Sequence, residues 1–224
     1  MSGTAVLLSG GLDSAVLLAE EAARGEVQPI YVSVGLAWEA AERQMVSQFL
    51  ARTSLPGVRP LVSLSVDMRD VYAATHWAVQ GRPPAYDTPD EDVYLPGRNI
   101  VLLGKAGVYC AAAKLERVVL GTLAHNPFPD ATAEFRTAMA QALTLGLAHD
   151  LRIDAPYAGS SKAEVITRGL SLGVPFELTL SCMNPPAPQL HCGLCSKCRE
   201  RHDAFLELGV ADPTVYEDQR YVRA

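Results

Sequence analysis

Residues 5–14 read Ala5-Val6-Leu7-Leu8-Ser9-Gly10-Gly11-Leu12-Asp13-Ser14. An apolar run passes into a serine and a glycine pair, and an amphipathic stretch from Ala15 to Ala23 follows. The reading is strand, tight turn, helix. Glycine has no Cβ and reaches positive φ, so the backbone at Gly10 and Gly11 can approach an anion closely. The helix start then presents unpaired N–H groups and a partial positive charge. Ser9 and Ser14 add hydroxyl donors, and Asp13 is placed to hold Mg²⁺ against phosphate oxygens. Ser9, Gly10, Gly11, Leu12, Asp13 and Ser14 are therefore expected to cradle phosphate. The stretch is neither a Gly-Lys-Ser/Thr loop nor a G-x-G-x-x-G fingerprint. The plain alternative is an ordinary strand–helix turn that uses glycine for geometry alone.

Outward from this turn, strand and helix patterns alternate. Strands are expected at 5–8, 29–34, 61–66, 117–120 and 151–155, and helices at 12–23, 38–52, 99–113, 131–149 and 162–172. The strands are rich in Val, Leu and Ile rather than alternating, as in a parallel sheet buried on both faces. The expected fold is a doubly wound α/β sheet with ligands at the carboxyl ends of its strands. Ser161-Lys162-Ala163-Glu164 has capping-box spacing, and Gly173 followed by Pro175 closes that helix.

Residues 80–96 break the alternation. They carry Pro83, Pro84, Pro89 and Pro96 with Asp87, Asp90, Glu91 and Asp92, which excludes a regular helix or a central strand. The segment reads equally as a binding loop or as a passive surface excursion. It runs into Arg98, where a phosphate or carboxylate partner is expected, and Asn99, a candidate cap for the next helix.

The 224 residues are 49% hydrophobic with a net charge of −6. That is enough for a full core in one domain with a small appendage, divided here into an α/β domain at 1–180 and a cysteine module with tail at 181–224. The acidic balance and lack of basic runs argue against nucleic-acid or membrane-surface partners. The first residues show no signal-peptide pattern and no run approaches a membrane span, so a cytoplasmic location is expected.

Four of the five cysteines crowd near the end of the chain: Cys182, then Cys192-Gly193-Leu194-Cys195-Ser196-Lys197-Cys198. In a cytoplasmic chain such crowding points to metal. Four thiolates close a tetrahedral shell around structural Zn²⁺. An iron–sulfur cluster is the competing reading, and a nucleic-acid-binding zinc ribbon a weaker one. Lys197, Arg199 and Arg201 are read as offsetting the charge of the thiolates. His191 adjoins the cluster but is not needed as a ligand, and Cys110 reads as a core residue.

Taken together, these motifs resemble one family. Ser-Gly-Gly-Leu-Asp-Ser at the first strand–helix turn is like the PP-loop of ATP pyrophosphatases, whose fold is adenine nucleotide alpha hydrolase-like. Pro96-Gly97-Arg98-Asn99, Lys162-Ala163-Glu164, the four cysteines and Asp212-Pro213-Thr214 are similar to the 7-cyano-7-deazaguanine synthase family of the queuosine pathway. The likeness spans nearly the whole chain. It implies an ATP-dependent ligase that activates 7-carboxy-7-deazaguanine, adds ammonia and dehydrates the amide to the nitrile. It further implies ATP, Mg²⁺ and Zn²⁺ as cofactors, Asp13 and Arg98 as catalytic residues, Lys162 among the nucleotide contacts, and a homodimer. A carboxylate is a poor electrophile until adenylylation supplies a leaving group, so catalysis needs alignment and charge stabilisation rather than a side-chain nucleophile.

Two stretches depart from the family pattern. A basic stretch after the second strand is replaced by Val34-Gly35-Leu36-Ala37-Trp38-Glu39, and an aspartate-rich loop after the fourth by Thr122-Leu123-Ala124-His125-Asn126-Pro127-Phe128-Pro129-Asp130. His125 and Asp130 there read as substrate-loop residues or loop hydrogen-bonders, Trp38 as a stacking platform or a packing residue, and Lys162 as a phosphate contact or a solvated helix start. The departures leave two further readings. One is a paralogue that passes an activated acid to a different amine or protein. The other is a nucleotide- and zinc-binding module without catalysis. A thiolating PP-loop enzyme would need a free reactive cysteine, which this pattern does not offer.

Overall fold

A computed structural model describes residues 3–222. The elements run β1 (Gly3–Leu7), α1 (Leu12–Ala22), β2 (Val27–Ser33), α2 (Glu39–Arg52), β3 (Val62–Ser65), α3 (Trp77–Gln80), α4 (Arg98–Ala113), β4 (Leu115–Val119), α5 (Ala133–Leu147), β5 (Arg152–Asp154), α6 (Lys162–Ser171), β6 (Leu190–His191), α7 (Ser196–Leu208) and β7 (Val215–Tyr216). All five expected strands form one sheet, in the order β3-β2-β1-β4-β5, with every pairing parallel. The chain steps outward from β1 to β3, then returns to β4 on its other side. The strand order therefore reverses between β1 and β4, opening a crevice at their carboxyl ends.

Apolar residues cover both faces of the sheet. Val6 and Leu8 join a cluster with α1, α2 and α6, while Ala5 points into a second cluster with α4 and Leu151. Ala5 and Val6 are both fully buried, which is why β1 shows no polar alternation. Residues 181–222 share the first cluster: Cys182, Cys198, Phe205 and Tyr216 pack with the residues of α1.

Several boundaries shift for physical reasons. The helix expected at 131–149 begins at Ala133, because Pro129–Ala131 form a separate 3-10 turn and Thr132 Oγ1 accepts the Phe135 N–H at 3.1 Å. Asn99 does not cap α4. Gly97, at φ 76°, occupies the cap position, and Asn99 lies inside the first turn. The capping box at Ser161 and Glu164 is present as expected. Helix α7 was not foreseen, since Arg199, Glu200, Arg201 and His202 break up its apolar face. Arg201 is nevertheless fully buried. It donates to Thr179 Oγ1 at 2.7 Å, the Phe176 carbonyl at 2.9 Å and Asp212 Oδ1 at 3.4 Å. It is thus a structural tie between α7 and the chain around it rather than a counter-charge to the cysteines. No helix among the described residues is long and apolar enough to cross a membrane.

Candidate active site

The glycine turn caps β1 at the crevice. Gly10 has φ +82°, and a Cβ there would lie 3.1 Å from Val46 Cγ2 and 3.2 Å from the Glu42 carbonyl oxygen, so any other residue is strained by the backbone and crowded by α2. Gly11 departs from expectation: its φ is −69° and its ψ 157°, an extended residue that serves as the N-cap of α1. Ser14 Oγ donates to the Gly11 carbonyl at 2.9 Å, and Ser9 Oγ accepts the Gly11 N–H at 3.3 Å. The two hydroxyls therefore brace the turn. The Leu180 N–H donates to the Gly10 carbonyl at 2.8 Å, fastening the last residues of the α/β layer to the loop.

Asp13 stands in the first turn of α1. One carboxylate oxygen lies 3.2 Å from Lys162 Nζ. The other, Oδ1, is buried with no hydrogen-bond partner among the described residues. Burial lifts the Asp13 pKa above its ordinary value, with Lys162 opposing. An orphaned carboxylate oxygen beside a helix N-terminus is a donor suited to a hard cation.

Two confluent cavities of about 290 Å³ each meet at Ser9, Gly11, Asp13, Glu42 and Arg98. The first lies under Leu7, Leu8, Tyr31, Val32 and Leu95, with Ser14, Asn99 and Asp130 also on its wall; the second is bounded by His125, Asn126, Lys162, Lys197 and Glu200. A compartment that combines aliphatic and aromatic walls with a few polar groups, joined to one walled by charges, suits a ligand with a ring at one end and anionic groups at the other. Arg98 reaches the junction from the start of α4, and its buried Nε has no partner among the described residues. Glu42 is buried beside it, accepting the Tyr31 hydroxyl at 2.9 Å and the Trp38 indole N–H at 3.1 Å. Desolvation raises the Glu42 pKa, against the pull of Arg98.

The remaining sequence candidates fall into place. Trp38 is buried and stacks on Trp77 at 5.8 Å and 10°, with its N–H engaged by Glu42. That is the packing reading. Asp130 is also buried. Its Oδ2 accepts the Asn99 backbone N–H at 3.0 Å, and the Asn99 side chain donates to its carbonyl at 3.0 Å. Asp130 thus supplies the missing cap of α4 from another loop, one residue behind Arg98. His125 is exposed at the rim, with φ +58°. Lys162 is not a solvated helix start. Its side chain is 12% exposed, and Nζ lies 2.5 Å from Glu200 Oε1 as well as 3.2 Å from Asp13. Burial alone would lower the Lys162 pKa, yet Asp13 and Glu200 together hold it above its ordinary value. Burial would raise that of Glu200, which Lys162 and Lys197 hold down at about 2.

The four cysteines converge. All four Sγ atoms lie within 4.8 Å of one another, with Cys192–Cys198 at 3.8 Å and Cys195–Cys198 at 3.5 Å. Sulfurs about 2.3 Å from one tetrahedral ion sit about 3.8 Å apart. Backbone N–H groups of Asn184 and Cys192 point at Cys182 Sγ, at 3.3 and 3.2 Å, as they would to a thiolate. Gly193 has φ +76°, and a Cβ there would lie 2.0 Å from the Asp218 carbonyl oxygen, so the knuckle closes only with glycine. His191 is turned away from the cluster: its Nε2 accepts the Ser181 N–H at 3.0 Å.

The flanking cations serve the cleft, not the thiolates. Arg199 donates to the Tyr86 and Thr88 carbonyls at 2.8 and 2.9 Å and reaches Asp90 at 3.3 Å. The Ser196 N–H donates to the Pro84 carbonyl at 3.3 Å. The proline-rich loop is therefore clamped to the cysteine module, with Asp90 on the cavity wall. Lys197 pairs with Glu200 at 2.5 Å. Sequence reasoning missed Glu200 and Glu42, since an isolated glutamate in a charged or apolar helix carries no local signal.

A glycine turn and helix start at the switch point of a parallel sheet place this chain among the α/β proteins with a nucleotide-binding fold. Its family is narrower than that class. Residues 4–209 match the model described as "Queuosine biosynthesis protein QueC", and the chain belongs to that family. Relatives named 7-cyano-7-deazaguanine synthase include that of Caldicellulosiruptor bescii, 34% identical with 95% of this chain and 96% of that one covered. Those of Methanoculleus marisnigri, at 34% (97% and 100% covered), and Methanopyrus kandleri, at 35% (96% and 99% covered), are similar at the same level.

Proposed function

We propose that this chain is a 7-cyano-7-deazaguanine synthase, the name its relatives carry. The supporting observation is the meeting of Asp13 and Arg98, each with a buried atom that has no partner among the described residues, at the junction of a mixed and a charged cavity. ATP transfers its adenylyl group to the carboxylate of 7-carboxy-7-deazaguanine and releases pyrophosphate. Ammonia displaces AMP, giving the amide and a proton. A second ATP adenylylates the amide oxygen and releases pyrophosphate, and loss of AMP with the two amide protons leaves the nitrile.

The residues divide this work by position. Backbone N–H groups of the 9–14 turn and the α1 start bind phosphate oxygens. Arg98 neutralises charge where the acid and the nucleotide meet. Lys162 faces the departing pyrophosphate. Asp13 Oδ1 would hold Mg²⁺, which supplies charge neutralisation between phosphate oxygens. Cys182, Cys192, Cys195 and Cys198 would hold Zn²⁺. Their Sγ spacing suits one ion, whereas a cluster of several iron and sulfide ions holds its thiolates further apart.

The protein is proposed to be cytoplasmic, with small-molecule partners and neither nucleic acid nor membrane. Its partner copy would cover α4 and α5. On α5, Phe135, Met139, Ala140 and Leu143 pack half-buried against the core, whereas Leu145 of α5 and Val108 and Ile100 of α4 are 74%, 53% and 49% exposed.

Mass spectrometry of products from 7-carboxy-7-deazaguanine, ATP and ammonium tests the reading. Nitrile with pyrophosphate is expected. Amide or adenylate alone would favour transfer to another amine, and orthophosphate in place of pyrophosphate would overturn the adenylation chemistry.

A further inference from the structure

Among the charged residues on the wall of the second cavity, Asp13, Lys162, Glu200 and Lys197 form a chain of alternating sign. They come from three elements, α1, α6 and α7. Glu200 stands at the centre. One oxygen lies 2.5 Å from Lys162 Nζ and the other 2.5 Å from Lys197 Nζ. Lys162 is closer to Glu200 than to Asp13, at 2.5 against 3.2 Å. Glu200 is carried on an anchored helix. It sits on α7 between Cys198 and the fully buried Arg201, whose guanidinium is tied to Phe176 and Thr179.

We propose that Glu200 is a positioning residue of the adenylation site. It keeps Lys162 in place, so that Asp13 can exchange the lysine for a metal-bound nucleotide. The inference rests on the adenylation reading given above. A cation arriving at Asp13 Oδ1 repels the ammonium on Oδ2. Without a second anion, Lys162 has Asp13 as its sole charged partner, and metal and lysine compete for one carboxylate. With Glu200 present, Asp13 changes partner while Lys162 stays at the cavity wall, its remaining N–H directions open to phosphate. The cysteine module thereby acts on the phosphate site through a glutamate on its own helix.

The first test is equilibrium binding of Mg²⁺ with α,β-methylene-ATP to the metal-loaded protein. Glu200→Gln is expected to weaken binding about tenfold at low Mg²⁺, with the deficit shrinking as free Mg²⁺ rises and with bound zinc unchanged. Glu200→Asp, which keeps the charge, should recover most of the affinity. An unchanged dissociation constant, or a deficit equal at every Mg²⁺ concentration, overturns the proposal. The second test needs neither nucleotide nor the Glu200 variant. In Asp13→Asn protein, acetic anhydride should acylate Lys162 as slowly as in the unaltered chain, because Glu200 still holds it. Labelling as fast as the exposed Lys105 would show that Asp13 was the holder. Failure of the unaltered protein to bind the nucleotide would sink the adenylation reading, while the labelling result would still decide the role of Glu200.

Discussion

The turn at 9–14 and the knuckle at 192–198 are both tight backbone loops that depend on one left-handed glycine, Gly10 in the first and Gly193 in the second. They end in opposite states. The first leaves a carboxylate oxygen of Asp13 buried in a cleft with no hydrogen-bond partner among the described residues. The second turns four buried thiols onto one another, their Sγ atoms within 4.8 Å. An open coordination position serves chemistry, and a closed one serves folding. The structure adds a connection between them. The closed site carries α7, and α7 delivers Glu200, Lys197 and Arg199 to the cleft and to the loop that walls it.

That contrast can be broken most severely at the closed site. Cys195→Ser should lose the bound metal and leave the protein insoluble or unfolded, because a structural metal supplies folding free energy outright. Metal analysis and circular dichroism check this, and a folded, metal-loaded variant would make the knuckle an accessory. At the open site, Asp13→Ala should lower pyrophosphate release by about 10²–10³-fold with little change in Tm, since Lys162 retains Glu200. Full activity would remove the assigned role. The smallest effect belongs to the fifth cysteine. Cys110 is fully buried, and burial pushes its thiol up to about 12. It should resist alkylation in the folded chain and react on unfolding. Because its folded pKa is raised, its contribution to stability is intact below the unfolded thiol value of about 8.5 and is lost as pH climbs toward about 12. Alkylation of the folded protein at neutral pH would contradict this burial.

The parts of the site that were legible carry local signals. Gly10 and Gly11 mark a turn by composition, and the cysteines mark a metal site by spacing. Lys162 stands out only through the likeness of Lys162-Ala163-Glu164 to the family motif. Gly11 shows the limit of that reading, since only one of the two glycines needs positive φ. Asp130 shows it more sharply. As a residue in a loop at a strand's carboxyl end it reads as facing substrate, yet its carboxylate accepts the Asn99 N–H and orients the helix that bears Arg98. The partner lies 31 residues away in sequence, and no local pattern announces it. Trp38 reads from sequence as a stacking platform or a packing residue, and Trp77 and Glu42 hold it in the second role.

The order of residues alone determined the parallel α/β sheet, the glycine turn and the grouping of four thiols, because each arises from neighbours a few positions apart. Folding decided which charges meet. Asp13, Lys162 and Glu200 are separated by long stretches of chain, and their pairing depends on how α1, α6 and α7 pack. Coulomb energy depends on distance in space and on burial, and neither is a property of position along the sequence.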